Sequence, residues 1–305
     1  QKTMKIAQEL YEGVEVAGSG MTGLITYMRT DSLRISEEAR AAANAYISKV
    51  YGDKYLPDKP RYFKTRAGAQ DGHEAIRPTN IEITPKIAKQ SLTNDQYKLY
   101  NLIWCRYVAS LMAACVQDTV KVEIKAEKAG VNGFCLFSAS GYSVKFDGFT
   151  AVYQDTNENE EENTSIPVLE NGDPLDLREL LCDQHFTQPP ARYNEASLIK
   201  VMEESGIGRP STYATIMSTI VDRAYVEQDK QRRFHPTNGG WVIASYLNKY
   251  FTDLVDVNFT AKTEDTLDDV SNGKVKKLTA LENFWKPTNE MIEGARGVKT
   301  SDIID

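Results

Sequence analysis

Histidine is scarce in this 305-residue sequence, with three in all, His73, His185 and His235, too few for a metal centre built on imidazoles. The four cysteines, Cys105, Cys115, Cys135 and Cys182, show no Cys-x-x-Cys pairing, which argues against a zinc ribbon. Reduced thiols packed as small hydrophobes fit them better and imply a cytosolic setting. No apolar run approaches the ~20 residues of a membrane span, and Gln1-Lys2-Thr3-Met4-Lys5 lacks the apolar core of a secretory leader. The expectation is a soluble, cytoplasmic chain. A Walker loop is missing too, because the glycine-rich stretch at 206–213 is not followed by Gly-Lys-Ser/Thr; nucleotide hydrolysis is disfavoured.

An excess of positive charge is also lacking, since the formal net charge is −7. That speaks against a polyanionic partner until the charges are located. Lys plus Arg against Asp plus Glu counts 16 to 12 over residues 1–113, 5 to 14 over 114–184 and 15 to 17 over 185–305. The acidity sits in the middle third, and the flanking thirds remain able to meet phosphate.

The length exceeds what one compact core usually holds, so two or three domains are expected. Three segments suggest themselves: 1–113 mainly helical, 114–184 β-rich, and 185–305 helical again, together a multidomain α+β chain. Helices are predicted over Thr3–Tyr11, Glu37–Val50 behind a Ser36 cap, and Asp95–Cys115, where apolar residues recur every three or four positions. Thr119–Ala126 alternates apolar with charged residues, and Gly133–Phe149 is rich in aromatic and β-branched residues. These predict antiparallel strands, resumed over 166–183 after an acidic loop at Asp155–Ser165. Pro189-Pro190 breaks the chain. Beyond it, Glu195–Ser205, a turn at Gly206-Ile207-Gly208, a helix over Pro210–Arg223 and a hairpin over Tyr225–Pro236 have the order of a winged helix-turn-helix. From Gly294 onward the chain reads as loosely held.

Three segments suit phosphate chemistry. In Gly23-Leu24-Ile25-Thr26-Tyr27-Met28-Arg29-Thr30-Asp31-Ser32, Tyr27 and Arg29 share one face of an extended segment. A free phenol ionises near pH ~10, so attack on phosphorus needs a cation such as Arg29 beside it. A half-buried ring with a snorkelling neighbour has the same spacing. Asp71-Gly72-His73-Glu74-Ala75-Ile76-Arg77-Pro78-Thr79 offers His73 as a polar or cationic phosphate contact, or as an imidazole satisfied by a carboxylate. Gly206-Ile207-Gly208-Arg209-Pro210-Ser211-Thr212-Tyr213 offers free backbone donors at a helix start, or a tight interhelical turn with Arg209 solvated.

Together these stretches resemble the type IA DNA topoisomerases of bacteria: the Tyr27 motif looks like their active-site tyrosine motif, and His73 to Thr79 like a second signature. Pro189 to Leu198 running into Gly206–Tyr213 resembles a third, and Phe259-Thr260-Ala261 to Leu267-Asp268 a fourth, so the likeness covers nearly the whole chain. The resemblance implies a toroid in which β-rich arches carry the tyrosine domain away from the base. It implies that Tyr27 is the nucleophile, forming a 5′-phosphotyrosine link that conserves bond energy, so that negative supercoils are relaxed without ATP. Arg29 would stabilise the scissile phosphate and His73 contact it or its neighbour. Arg209, Ser211 and Thr212 would hold single-stranded DNA, while Thr30 and Asp31 would shape the local turn. The protein would be a nucleoid-associated monomer.

The family binds magnesium through an acidic cluster in a Toprim domain, and no Asp-x-Asp-x-Glu run occurs here. Gly72 stands where the family usually has alanine, and cysteine-rich ribbons are absent. The expectation is a core fragment that lacks the Toprim domain and part of the arch, and that is inactive in relaxation by itself, with no metal site of its own. A decatenating paralogue remains an alternative reading, as does a noncatalytic single-strand binding module in which Tyr27 stacks on a base.

Overall fold

The computed structural model describes residues 1–18, 20–63, 72–127, 130, 132–154 and 166–298. Asp71 and the acidic loop at Asp155–Ser165 lie outside the described residues, as does the chain from 299 on.

Helix α1 (Lys2–Glu12) runs into a short hairpin, β1 (Val14–Val16) against β2 (Gly20–Thr22). Helix α2 (Glu37–Tyr51) starts at Ser36, whose hydroxyl accepts the Ala39 N–H, and two glutamates in its first turn complement the helix dipole. After the one-turn α3 (Pro85–Ala88) comes α4 (Asn94–Leu111), opened by a reciprocal capping box between Thr93 and Gln96. The predicted helix over Asp95–Cys115 thus stops four residues early. Met112 is extended there, and the Ala113 N–H leaves the helix to donate to the Tyr55 carbonyl.

Leu10, Leu24, Ile25, Ile47, Val108 and Met112 are almost wholly buried in one core made by α1, α2, α4 and the segment after β2. Burial of each such side chain contributes about 1.5–3 kcal/mol. The aromatic members keep their polar ends satisfied: the Tyr100 hydroxyl donates to the Ile83 carbonyl at 2.6 Å and the Trp104 indole N–H to the Ile81 carbonyl at 3.1 Å. Burial pushes the Tyr100 phenol far up from its ordinary range, so it stays protonated.

The middle third is a long two-stranded antiparallel hairpin, β3 (Val116–Glu127) against β4 (Phe134–Phe146), in register from Gln117 opposite Val144 to Glu127 opposite Phe134. Both faces are open, with Val120, Phe134, Leu136 and Val144 exposed. The strands expected over 166–183 do not form. Residues 166–193 run as irregular, exposed chain, Val168 being 99% and Leu177 80% accessible. Alternation supplies strand propensity, but a strand exists only where a second edge accepts its hydrogen bonds, and none of the described residues pairs with this stretch.

The last third opens with α5 (Glu195–Glu204), capped by Asn194 with Ser197, and α6 (Tyr213–Asp222). Helix α6 begins three residues later than expected, because Pro210–Thr212 is a turn held by the Thr212 hydroxyl on the Arg209 N–H. A small wing follows, β5 (Val226–Gln228) against β6 (Phe234–Pro236). Then come α7 (Asn238–Tyr250), α8 (Thr252–Val255), α9 (Val257–Ser271) and α10 (Lys277–Ala295). Gly294 and Ala295, expected to be loosely held, complete α10. No helix among the described residues is long and apolar enough to cross a membrane.

Candidate functional site

The segment leading into Tyr27 and the segment that follows His73 lie side by side, antiparallel, although about fifty positions separate them in sequence. Ile25 faces Pro78, the Thr26 N–H donates to the Arg77 carbonyl and the Thr79 N–H to the Leu24 carbonyl, each at 3.0 Å. Side chains reinforce the pairing. The Thr26 hydroxyl donates to the Ala75 carbonyl at 2.7 Å and accepts the Arg77 N–H at 2.9 Å, while the Thr79 hydroxyl donates to the Gly23 carbonyl at 2.6 Å. On its other side the Leu24 N–H donates to the Leu10 carbonyl at 2.7 Å, tying the segment to the end of α1. Gly23 permits this approach, since a Cβ there would lie 2.6 Å from the Tyr11 carbonyl oxygen.

Through this pairing, Tyr27 meets two rings. Its centroid is 5.0 Å from that of His73, tilted by 35°, and 5.3 Å from that of Tyr11 in an edge-on contact. Tyr27 is half-buried against the core. Arg29, two residues on, is exposed and makes no ion pair or hydrogen bond among the described residues, which leaves its guanidinium available to an anion. Arg77 serves the scaffold: its Nε and Nη2 both donate to one Glu74 oxygen at 2.8 Å and its Nη1 to the Pro78 carbonyl at 3.0 Å.

The glycine-rich turn lies on a separate element, yet it shares a cavity of about 590 Å³ with the tyrosine segment. Met28, Thr30 and Asp31 line one side, and Gly208, Arg209 and Tyr213 the other. Tyr27, Arg29 and His73 are not on its walls, nor are Ser211 and Thr212, which are exposed. Thr30 accepts the Ser32 N–H and shapes its turn, whereas Asp31 reaches the cavity. Arg209 is held within the protein, its Nη2 2.9 Å from Asp268 and its Nη1 3.6 Å from Glu264, both on α9. Burial pushes the Tyr213 hydroxyl up, Glu203 adds to this and Arg209 opposes it; Asp31 contributes upward across the cavity.

Among the described residues, no group of three or more histidine, cysteine or acidic side chains could hold a metal ion. Sequence reasoning passed over Thr26, Tyr11 and the Glu74–Arg77 pair as individual actors. Of these, only the i, i+3 spacing of Glu74 and Arg77 carried a local signal; the others matter through contacts with distant segments.

A family model described as DNA topoisomerase matches residues 1–282. The chain is 46% identical over its whole length to DNA topoisomerase 1 of Rickettsia felis, of which it covers 39%, and 42% identical over 96% of its length to that of Xylella fastidiosa strain Temecula1, of which it covers 36%. The solved structure of full-length topoisomerase I from Thermotoga maritima superposes with a TM-score of 0.81 at 36% identity, over 95% of this chain and 46% of that one. The chain belongs to the bacterial type IA DNA topoisomerase family. It spans about two fifths of the length of the curated relatives it matches.

Proposed function

We propose that these residues are the tyrosine-bearing gate and part of the DNA-binding base of a type IA topoisomerase, divided at the boundaries 1–113, 114–184 and 185–305. The Tyr27 phenol loses its proton and its oxygen bonds to phosphorus of one DNA strand. The bond from phosphorus to the 3′ oxygen breaks, that oxygen takes up a proton, and the 5′ end is left on the tyrosine. Reversal after strand passage reseals the DNA, relaxing negative supercoils without ATP because the phosphodiester energy is retained.

Arg29, exposed and two residues from the phenol, neutralises the phosphoryl oxygens as charge gathers. His73, already against the Tyr27 ring, contacts the same phosphate or its neighbour. Arg209, Ser211 and Thr212 contact the single-stranded backbone approaching the gate. Magnesium would be held by a Toprim domain outside these residues and would supply positive charge at the cleavage site. The protein acts as a cytoplasmic, nucleoid-associated monomer.

One observation carries this reading: the tyrosine motif and the histidine motif are zipped together so that the Tyr27 and His73 rings touch. The test is covalent capture by the longest polypeptide that carries this sequence, using a 3′-labelled single-stranded oligonucleotide with magnesium. A labelled adduct should survive denaturing electrophoresis and be lost in Tyr27→Phe. An undiminished adduct in that variant rules the nucleophile out.

A further inference from the structure

We infer that Thr26 is a positioning residue whose hydroxyl sets where His73 lies on the Tyr27 ring. The inference rests on the reading of Tyr27 as nucleophile. In a regular antiparallel pair, the residues that receive one ladder bond return another, so the Arg77 N–H would be expected to meet the Thr26 carbonyl. It meets the Thr26 hydroxyl instead, at 2.9 Å, and the same hydroxyl passes its proton to the Ala75 carbonyl at 2.7 Å. One proton and two lone pairs allow both bonds at once.

Neighbouring positions offer little substitute. Pro78 opposite Ile25 has no N–H, and on the His73 side of Arg77 no backbone hydrogen bond joins this segment to Leu24–Tyr27 among the described residues. Ala75, two residues from His73, is fixed from one side by its own N–H on the Arg34 carbonyl at 2.8 Å and from the other by Thr26. Among the described residues Thr26 is thus the last hydrogen-bonded crosslink between the two segments before His73, and it immediately precedes Tyr27. Removing its hydroxyl leaves the Ala75 carbonyl and the Arg77 N–H without this partner and frees the chain at His73 to shift. A displacement of about 1 Å at a reacting centre costs on the order of 100-fold in rate.

The experiment compares Thr26→Val, which keeps the branched shape, with Thr26→Ser, which keeps the hydroxyl, in the longest polypeptide carrying this sequence. Single-turnover formation of the oligonucleotide adduct should fall about 30-fold to 100-fold in Thr26→Val, with affinity for the oligonucleotide changed less than about twofold, and should recover to within about threefold in Thr26→Ser. Because Thr26 is argued to act through His73, the loss should largely vanish when Thr26→Val is made in a His73→Ala background. Losses that multiply in the double variant, or that Ser does not restore, overturn the positioning role. If Thr26→Val does not fold, Thr26→Ala is read in the same cycle. An adduct abolished by Tyr27→Phe but unaffected by Thr26→Val removes the role of Thr26 alone, whereas an adduct that survives Tyr27→Phe removes the reading beneath it.

Discussion

Tyr27 and His73, separated by 46 positions in sequence, stack with their ring centroids 5.0 Å apart. The contact depends on backbone pairing between residues 24–26 and 77–79 and not on any local turn. It brings a group able to donate to a phosphate next to the phenol that would attack one.

Replacing His73 should therefore impair chemistry without disturbing the fold. In His73→Ala, strand cleavage by the full-length protein is expected to drop by about 10²-fold, within the range for a positioned acid-base or phosphate contact. The melting temperature should move little, because His73 is only half-buried. Adduct formation at wild-type rate would remove His73 from the site.

Gly23 tests the packing beneath Tyr27. A methyl group there would lie 2.6 Å from the Tyr11 carbonyl oxygen, a backbone atom that cannot swing away. Gly23→Ala should destabilise the first third by about 1–3 kcal/mol, the usual cost of overpacking, and move the segment that carries Tyr27. Urea denaturation followed by tryptophan fluorescence measures it, as Trp104 belongs to the same core; an unchanged midpoint would contradict the close approach.

Arg209 can serve a DNA strand only in competition with α9. Its ion pair with Asp268 is partly exposed, with side chains 32% and 41% accessible, so its net worth is about 0–1 kcal/mol. Asp268→Asn should raise affinity for single-stranded DNA a few-fold at low salt, and the gain should shrink as ionic strength rises. Fluorescence anisotropy across a salt series gives both quantities. A loss of affinity would mean that the pair orients Arg209 for binding.

The wing carries an acid-sensitive joint. Asp229 accepts the N–H groups of Arg233 and Gln231 and lies 3.1 Å from His235, and the bond from Arg233, with smaller help from the others, holds its carboxyl below the usual carboxylate range. Its folded-state pKa is the lower one, so its contribution is present above the ordinary value of 3.8 and fades as the pH falls through the folded value. Protection of the Arg233 and Gln231 amides, taken relative to unfolded-chain exchange at the same pH, should fall over that acid range, and unchanged protection would contradict the joint.

Local chemistry made much of this protein readable. Ser36 announces α2 because a cap needs only the next three residues, and the Thr93–Gln96 box that opens α4 is equally local although its spacing was passed over. The β3–β4 hairpin follows from alternation between two adjacent runs, and the motifs around Tyr27, His73 and Arg209 carried the family. Residues 166–183, expected to resume the strands, misled because a strand needs a partner edge that no local stretch of sequence supplies.

The helix caps at Ser36 and Thr93 and the β3–β4 pairing were decided by the sequence alone, since each rests on side chains in adjacent stretches of chain. Only the tertiary structure decided that Thr26 bonds Ala75 and Arg77, that Tyr27 meets His73 and Tyr11, and that Arg209 spends its charge on Asp268. Those contacts join groups far apart along the chain. A hydroxyl or guanidinium can take many partners, and the choice is made when the core closes and brings one of them within hydrogen-bond reach.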